Sequence, residues 1–174
     1  MRRFILTGAP GAGKTALLRQ LEVDGIGVVE EAVTDVIALE QARGVPEPWT
    51  DADFIDRIVT LQRQRRRLAA GLTQVHDRSA FCTEALAVFL GHAPSALLLQ
   101  EIQELKRTGF YERQVFFVRL MGFIQPTAAR RIALEDARRF EAVHERVYRE
   151  HGFELVSVEP ASVIDRAGLV RRCL

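Results

Sequence analysis

With 174 residues, 48% of them hydrophobic and 27% charged, the chain has the composition of an ordinary globular protein with one sizeable core. A formal net charge of +1 supplies no overall field for a nucleic-acid backbone or an acidic membrane surface, which argues against nucleic acid as a partner. No apolar run approaches the roughly 20 residues a membrane-spanning helix needs, and Cys82, Cys173 and the four histidines are too scattered along the chain for zinc-ligand spacing or a disulfide framework.

The elements follow in chain order. RRFILTG near the N-terminus reads as a short strand, and its continuous run Phe4, Ile5, Leu6 suits burial on both faces. The two arginines and short apolar run of MRRFILTGAPG share features with a signal peptide. The run is too short, however, and a glycine loop stands where a cleavage site belongs, so an unprocessed cytoplasmic protein is expected. A helix is expected over 14–22, with Leu17, Leu18 and Leu21 inward, and a second strand over 26–30. EAVTDVIALEQARG forms a helix that stops at Gly44, ahead of Pro46 and Pro48. VPEPWTD is a loop in which Thr50 or Asp51 caps a helix running to Gly71. The third strand, TQVHD at 73–77, is placed by its position more than by its weak apolar pattern. Two helices follow, SAFCTEALAVFLG with Ser79 as its cap, and a second between Ser95 and Gly109. QVFFVRL (114–120) is the clearest buried strand, MGFIQPTAARR a loop, and LEDARRFEAVHERVYREHG a long helix with an acidic first turn. FELVSVE (153–159) is the fifth strand and SVIDRAGLVRR a closing helix. Regular alternation of strand and helix, with no linker or repeat, predicts one α/β domain over 1–174. Its architecture is a three-layer fold in which a five-stranded parallel sheet carries helices on both faces. Ligands of such sheets bind beyond the carboxyl ends of the strands, so residues just after strands are the ones to inspect.

One segment there carries a specific chemical pattern. Gly8, Gly13, Lys14 and Thr15 fit Gly-x-x-x-x-Gly-Lys-Thr between the first strand and the first helix. A loop that cradles phosphate needs inward-pointing backbone N–H groups close to the ligand, and residues Gly8, Ala9, Pro10, Gly11, Ala12, Gly13, Lys14, Thr15 and Ala16 can supply them. Lys14 brings a mobile charge to the β- and γ-phosphates, and the Thr15 hydroxyl can ligate Mg²⁺. The chain has 24 basic residues but only two lysines, Lys14 and Lys106, and one of the two stands at this position. ATP with Mg²⁺ is the expected cofactor set, with GTP as the other candidate.

Other phosphate-loop classes are poorly served. Asn-Lys-x-Asp is missing. DRAG at 165–168 fits Asp-x-x-Gly but lies after the last strand, where it reads as accidental, as does SAL at 95–97. The large hexameric AAA+ machines need a second helical domain and an acidic run that this chain does not have. A small-molecule kinase needs a metal-supporting acid, a group to orient the acceptor hydroxyl, and cations over the transferring group. Glu31, with Glu30 just after the second strand, can serve the hydroxyl, or can be an acid complementing a helix dipole. Asp77 can hold a Mg²⁺-bound water and Arg78 can contact substrate or phosphate. Arg130 and Arg131 can close over the triphosphate, whereas Arg138 and Arg139 read as solvated.

These segments also carry a resemblance. FILTGAPGAGKTALLRQLEVDGIGVVEEAVTDVI, DFIDRIVTLQRQR, HDRSAFCTEALAVFLG and RRIALEDARRFEAVHERVYREHGFELVSV resemble the small single-domain phosphate-loop proteins of the AAA-type ATPase/kinase kind, to which nicotinamide riboside kinase domains are related. The EEA and DRS segments are similar to motifs of deoxynucleoside kinases. The resemblance implies a nucleoside/nucleotide-kinase-like phosphate-loop NTPase fold. It also implies that Glu31 serves the acceptor, Arg78 sits in the active site, and Arg130 and Arg131 grip the donor. VRLMGFIQ departs from the proline- and aromatic-rich sequence usual at that point of the family.

The expectation is thus a kinase that binds a nucleoside triphosphate and a small hydroxyl-bearing acceptor. A nucleotide-controlled switch acting on a protein partner, or a plain NTPase with water as acceptor, are the rivals. Around this set, Arg63, Arg65, Arg66 and Arg67 read as a solvated helix face. Trp49, Asp53, Phe54 and Gln62 border an acceptor pocket or fill the core, and Phe140, Val143, Val147 and Tyr148 form a core stripe.

Overall fold

The computed structural model describes residues 1–121 and 133–174. Strand β1 (Arg2–Thr7) leads into α1 (Lys14–Val23), β2 (Gly27–Val29) and α2 (Val33–Ala42). A short 3₁₀ turn, Pro48–Thr50, precedes α3 (Phe54–Leu68), β3 (Thr73–Asp77), α4 (Ala80–Leu90) and α5 (Ala96–Thr108). Then come β4 (Gln114–Val118), α6 (Leu134–Glu150), β5 (Glu154–Val158) and α7 (Val163–Cys173). The five strands form one sheet in the order β2-β3-β1-β4-β5, and each neighbouring pair is parallel. This is the α/β architecture the sequence predicts, a five-stranded parallel sheet with intervening helices. No helix among the described residues is long and apolar enough to cross a membrane.

Burial on both faces explains the sequence of the central strand. Side chains alternate across a strand, so Phe4 and Leu6 pack with Leu17, Leu18 and Leu21 of α1 and Val170 of α7, while Ile5 packs on the opposite side with Ile58, Phe81 and Tyr148. All three β1 side chains are fully buried, each contributing about 1.5–3 kcal/mol of apolar transfer free energy. The weakly apolar β3 is buried too, and its His76 finds polar partners inside, 3.1 Å from Gln74 Oε1 and 3.2 Å from the Tyr111 hydroxyl.

Three helix starts differ from expectation. Ser79 does occupy the N-cap position of α4, but its hydroxyl bonds to the Tyr148 hydroxyl at 2.9 Å and makes no cap bond. Helix α3 starts after Asp53, with Thr50 in the 3₁₀ turn and Asp51 paired with Arg57 at 3.1 Å. Helix α2 starts at Val33, so Glu31 stands before the helix. Ser95 does cap α5, accepting from the Leu98 N–H at 3.1 Å, and Gly109 ends it in the left-handed conformation.

Candidate active site

β1 lies between β3 and β4, so its carboxyl end is flanked on both sides by strand ends, the usual place for a ligand in such sheets. The phosphate-type loop leaves β1 here. Gly8 has φ +138°, and a Cβ on it would stand 2.2 Å from the Val118 carbonyl oxygen. Only glycine lets the loop backbone lie this close to the end of β4. Gly11 and Gly13 also have positive φ, and Gly13 is the N-cap of α1. Lys14 folds back over the loop, its Nζ donating to the Gly8 and Ala9 carbonyls at 2.9 Å each. Thr15 and Ala16 are exposed on the open side.

Asp77 and Arg78 arrive from the next strand. Leu6 is in register with Asp77, and the Arg78 N–H bonds to the Leu6 carbonyl at 2.9 Å, so both residues sit beside the base of the loop. Arg78 is the one non-glycine residue with positive φ (72°) among the described residues, a conformation that costs on the order of 1–3 kcal/mol. Its buried side chain is held from several sides. Nε pairs with the Glu31 carboxylate, and Nη1 lies 3.0 Å from Cys82 Sγ and 3.3 Å from His144 Nε2. Glu31 also accepts from the Thr34 hydroxyl at 2.6 Å, and Arg65 donates to its carbonyl. Glu30 points elsewhere, paired with Arg19.

Burial and charge tune this cluster. Asp77 is 6% exposed and its Oδ1 has no hydrogen-bond partner among the described residues. Burial pushes its carboxyl up, to about 6, against the pull of Lys14. Burial and Arg78 lower the Lys14 ammonium, to about 8, with Asp77 and Glu31 opposing. Cys82 Sγ lies 2.7 Å from His144 Nε2, while His144 Nδ1 faces the Phe140 carbonyl at 2.9 Å. That pairing makes Nδ1 the donor and leaves Nε2 a lone pair toward the thiol.

The two buried imidazoles make the protein acid-sensitive. Burial first, and nearby arginines second, lower both His76 and His144 from 6.5 to about 3. The unfolded chain therefore binds protons that the folded one refuses, and stability is lost as pH falls from about 6.5 toward 3, by up to roughly 1.4 kcal/mol per pH unit for each histidine. Asp77 acts in the opposite sense only between its two values, 3.8 and about 6. In urea unfolding followed against pH, His144→Gln is expected to lose about 1.4 kcal/mol per unit less than wild type between pH 6 and 4. Equal slopes would show that His144 is not held neutral.

Beside the cluster opens a cavity of about 1100 Å³. Pro10 of the loop, Glu31, Arg78 and Cys82 lie at its charged end; Val33, Ile37, Trp49, Phe54, Phe89 and Phe140 supply apolar wall. Trp49 and Phe54 meet both alternatives the sequence left open: they line the cavity, and Phe54, 1% exposed, lies in the core with Trp49 packed against it. Gln62 and Asp53 do not line the cavity: Gln62 accepts from the Thr83 hydroxyl at 3.1 Å, and Asp53 is exposed at the start of α3. Arg138 and Arg139 are both exposed, as expected, although Arg139 also lines the cavity mouth and pairs with Asp136 at 3.1 Å. Arg130 and Arg131 lie outside the described residues.

The AAA-domain family matches residues 3–166. The chain belongs to that family. No curated protein matches this AAA domain in sequence. Among solved structures it is similar to deoxyadenosine kinase from M. mycoides with products dCMP and dCDP bound, at a TM-score of 0.65 and 14% identity over 98% of this chain and 97% of that one. It is also similar to NadR in complex with NAD and AMP-PNP, at a TM-score of 0.69 and 17% identity over 98% of this chain and 49% of that one. A NadR complex with NR gives 0.63 and 18%, over 90% and 43%. The AAA domain therefore spans about half the length of the NadR chain. At these identities the likeness is one of fold.

Two features of the AAA domain run against the sequence reading. Arg63 and Arg66 converge on Glu101, which is 3% exposed, and Arg65 pairs with Asp35, so three of the four arginines in RQRRR are structural ion-pair partners and not a free face. Arg166, inside the DRAG segment, touches the phosphate loop: its Nη2 donates to the Ala12 carbonyl at 2.9 Å.

Proposed function

We propose that this AAA domain transfers the terminal phosphoryl group of a nucleoside triphosphate, ATP before GTP, to a hydroxyl of a small nucleoside-like metabolite. The observation that carries the reading is the Glu31–Arg78 ion pair lining a cavity with a broad apolar wall beside the glycine loop. A plain NTPase or a nucleotide-controlled switch has no use for such a cavity, whereas an acceptor with a flat or apolar body would fill it and present its hydroxyl to Glu31. Deoxyadenosine kinase and NadR, the two folds it resembles, were solved with nucleotides or nucleoside-type ligands, which supports the same class.

In this mechanism the loop amides of residues 8–16 and Lys14 hold the β- and γ-phosphates, and Lys14 exchanges its contacts with the Gly8 and Ala9 carbonyls for phosphate oxygens. Glu31, paired with Arg78, orients the acceptor hydroxyl and takes its proton as the new O–P bond forms and the bond from the γ-phosphorus to the β-phosphate oxygen breaks. Arg78 steadies the acceptor side, and Arg130 with Arg131 neutralise charge on the transferring group. The oxygen donors present suit Mg²⁺, which takes one or two carboxylates plus phosphate oxygens: Asp77 offers an unpartnered carboxylate oxygen and Thr15 an exposed hydroxyl. Bound there, the ion would offset charge on the phosphates and hold them in line.

The test is a thermal-shift screen of nucleosides and vitamins with Mg²⁺ and a non-hydrolysable ATP analogue present. A true acceptor raises the melting temperature further by mass action, by an amount that grows with its concentration. Stabilisation by the analogue with no response to any acceptor would favour the switch.

A further inference from the structure

Arg166 is a buried cation without a counter-anion. It sits in the first turn of α7, 5% exposed, and its Nε is buried with no hydrogen-bond partner among the described residues. Among the described residues no carboxylate pairs with it, and residues 122–132 contain neither aspartate nor glutamate. The other buried cations of the site differ: Arg78 has Glu31, and Lys14 has Asp77 and Glu31 near enough to favour its charge. Burial lowers the affinity of Arg166 for its proton. Burying an unpaired charge is costly, and such a group persists where something compensates it.

Its surroundings say what compensates. Nη2 holds the Ala12 carbonyl, and a Cβ on Gly13 would stand 3.1 Å from Nη1 and 3.5 Å from Met121 Sδ. The guanidinium therefore backs the Ala12–Gly13 peptide, the last turn of the loop before Lys14. We propose that Arg166 is a positioning residue of the donor site. It fixes that peptide by its hydrogen bond and places an uncompensated positive charge behind the loop, which the polyphosphate of the bound nucleotide neutralises. This rests on the phosphate-loop reading and adds to it a contribution from the opposite end of the chain, 154 residues from Ala12. Because the partner is a polyanion, the contribution grows with the number of phosphates, whereas a merely structural arginine would affect all nucleotides alike.

The experiment is calorimetric titration of Mg²⁺ with ATP, ADP and AMP into wild type, Arg166→Met and Arg166→Lys, with melting temperatures of each unliganded protein. The expected result is that Arg166→Met weakens ATP binding roughly tenfold or more, ADP less and AMP least, while its unliganded melting temperature is no lower than wild type. Arg166→Lys, which keeps the charge, restores most of the ATP affinity, and raised salt narrows the gap between wild type and Arg166→Met. The proposal is overturned if Arg166→Met binds ATP as wild type does. Equal losses for all three nucleotides in both variants, with a lowered melting temperature, overturn it in favour of a packing role. Wild type that binds no nucleotide overturns the loop reading itself, and this proposal with it.

Discussion

Glu31→Gln is expected to remove acceptor-dependent turnover, lowering kcat about 10²–10⁴-fold, while nucleotide affinity stays within about threefold of wild type. The asymmetry follows from geometry. Glu31 stands before α2 at the cavity end, across β3 from the loop, where it pairs with Arg78 and accepts from Thr34. Its carboxylate is paired with Arg78, and glutamine keeps its shape and its contact with Thr34 while losing both charge and basicity. Arg78 is then left buried with its ion partner removed, so a loss of stability on the order of 3–5 kcal/mol accompanies the change. Initial rates with and without acceptor separate the two effects. Unchanged acceptor-dependent kcat in a folded variant would take Glu31 out of the chemistry.

Lys14→Met is expected to abolish transfer altogether, by at least about 10³-fold in kcat/KM, with nucleotide binding weakened as well. Lys14 is 7% exposed and, without ligand, donates to two loop carbonyls. A triphosphate offers its ammonium oxygens of full charge in place of neutral ones, and the attraction strengthens as charge develops on the transferring group. Methionine fills similar volume, so the loop itself should survive. Single-turnover measurement at saturating nucleotide isolates the chemical step, and a kcat/KM within tenfold of wild type would show that the loop lysine is structural.

The parts of this molecule that were legible in the sequence are those imposed by the backbone. Phe4, Ile5 and Leu6 announce a strand because a sheet covered on both faces leaves no polar side. Gly8 and Gly13 mark the loop because their positive φ and close contacts exclude side chains. Glu31 and Asp77 could be singled out because strand ends in a parallel sheet converge on one edge. What could not be read is which distant side chains neutralise one another. RQRRR has the pattern of a solvated face, and only the tertiary packing of α3 on α5 brings Glu101 between Arg63 and Arg66. Cys82 and His144 are 62 residues apart and meet only because α4 packs on α6. Arg166 looked accidental because the returning α7 packs beside α1 through contacts that no local spacing encodes.

The central claim is phosphoryl transfer to a hydroxyl, and one assay addresses it most directly: ADP release by wild-type protein with Mg²⁺ and ATP across a panel of nucleosides and related alcohols, with products identified by mass spectrometry. The account predicts that at least one acceptor stimulates ADP release well above the rate in water and is recovered as its phosphate monoester in equal amount. ADP accompanied only by inorganic phosphate, at a rate indifferent to every acceptor, would contradict it.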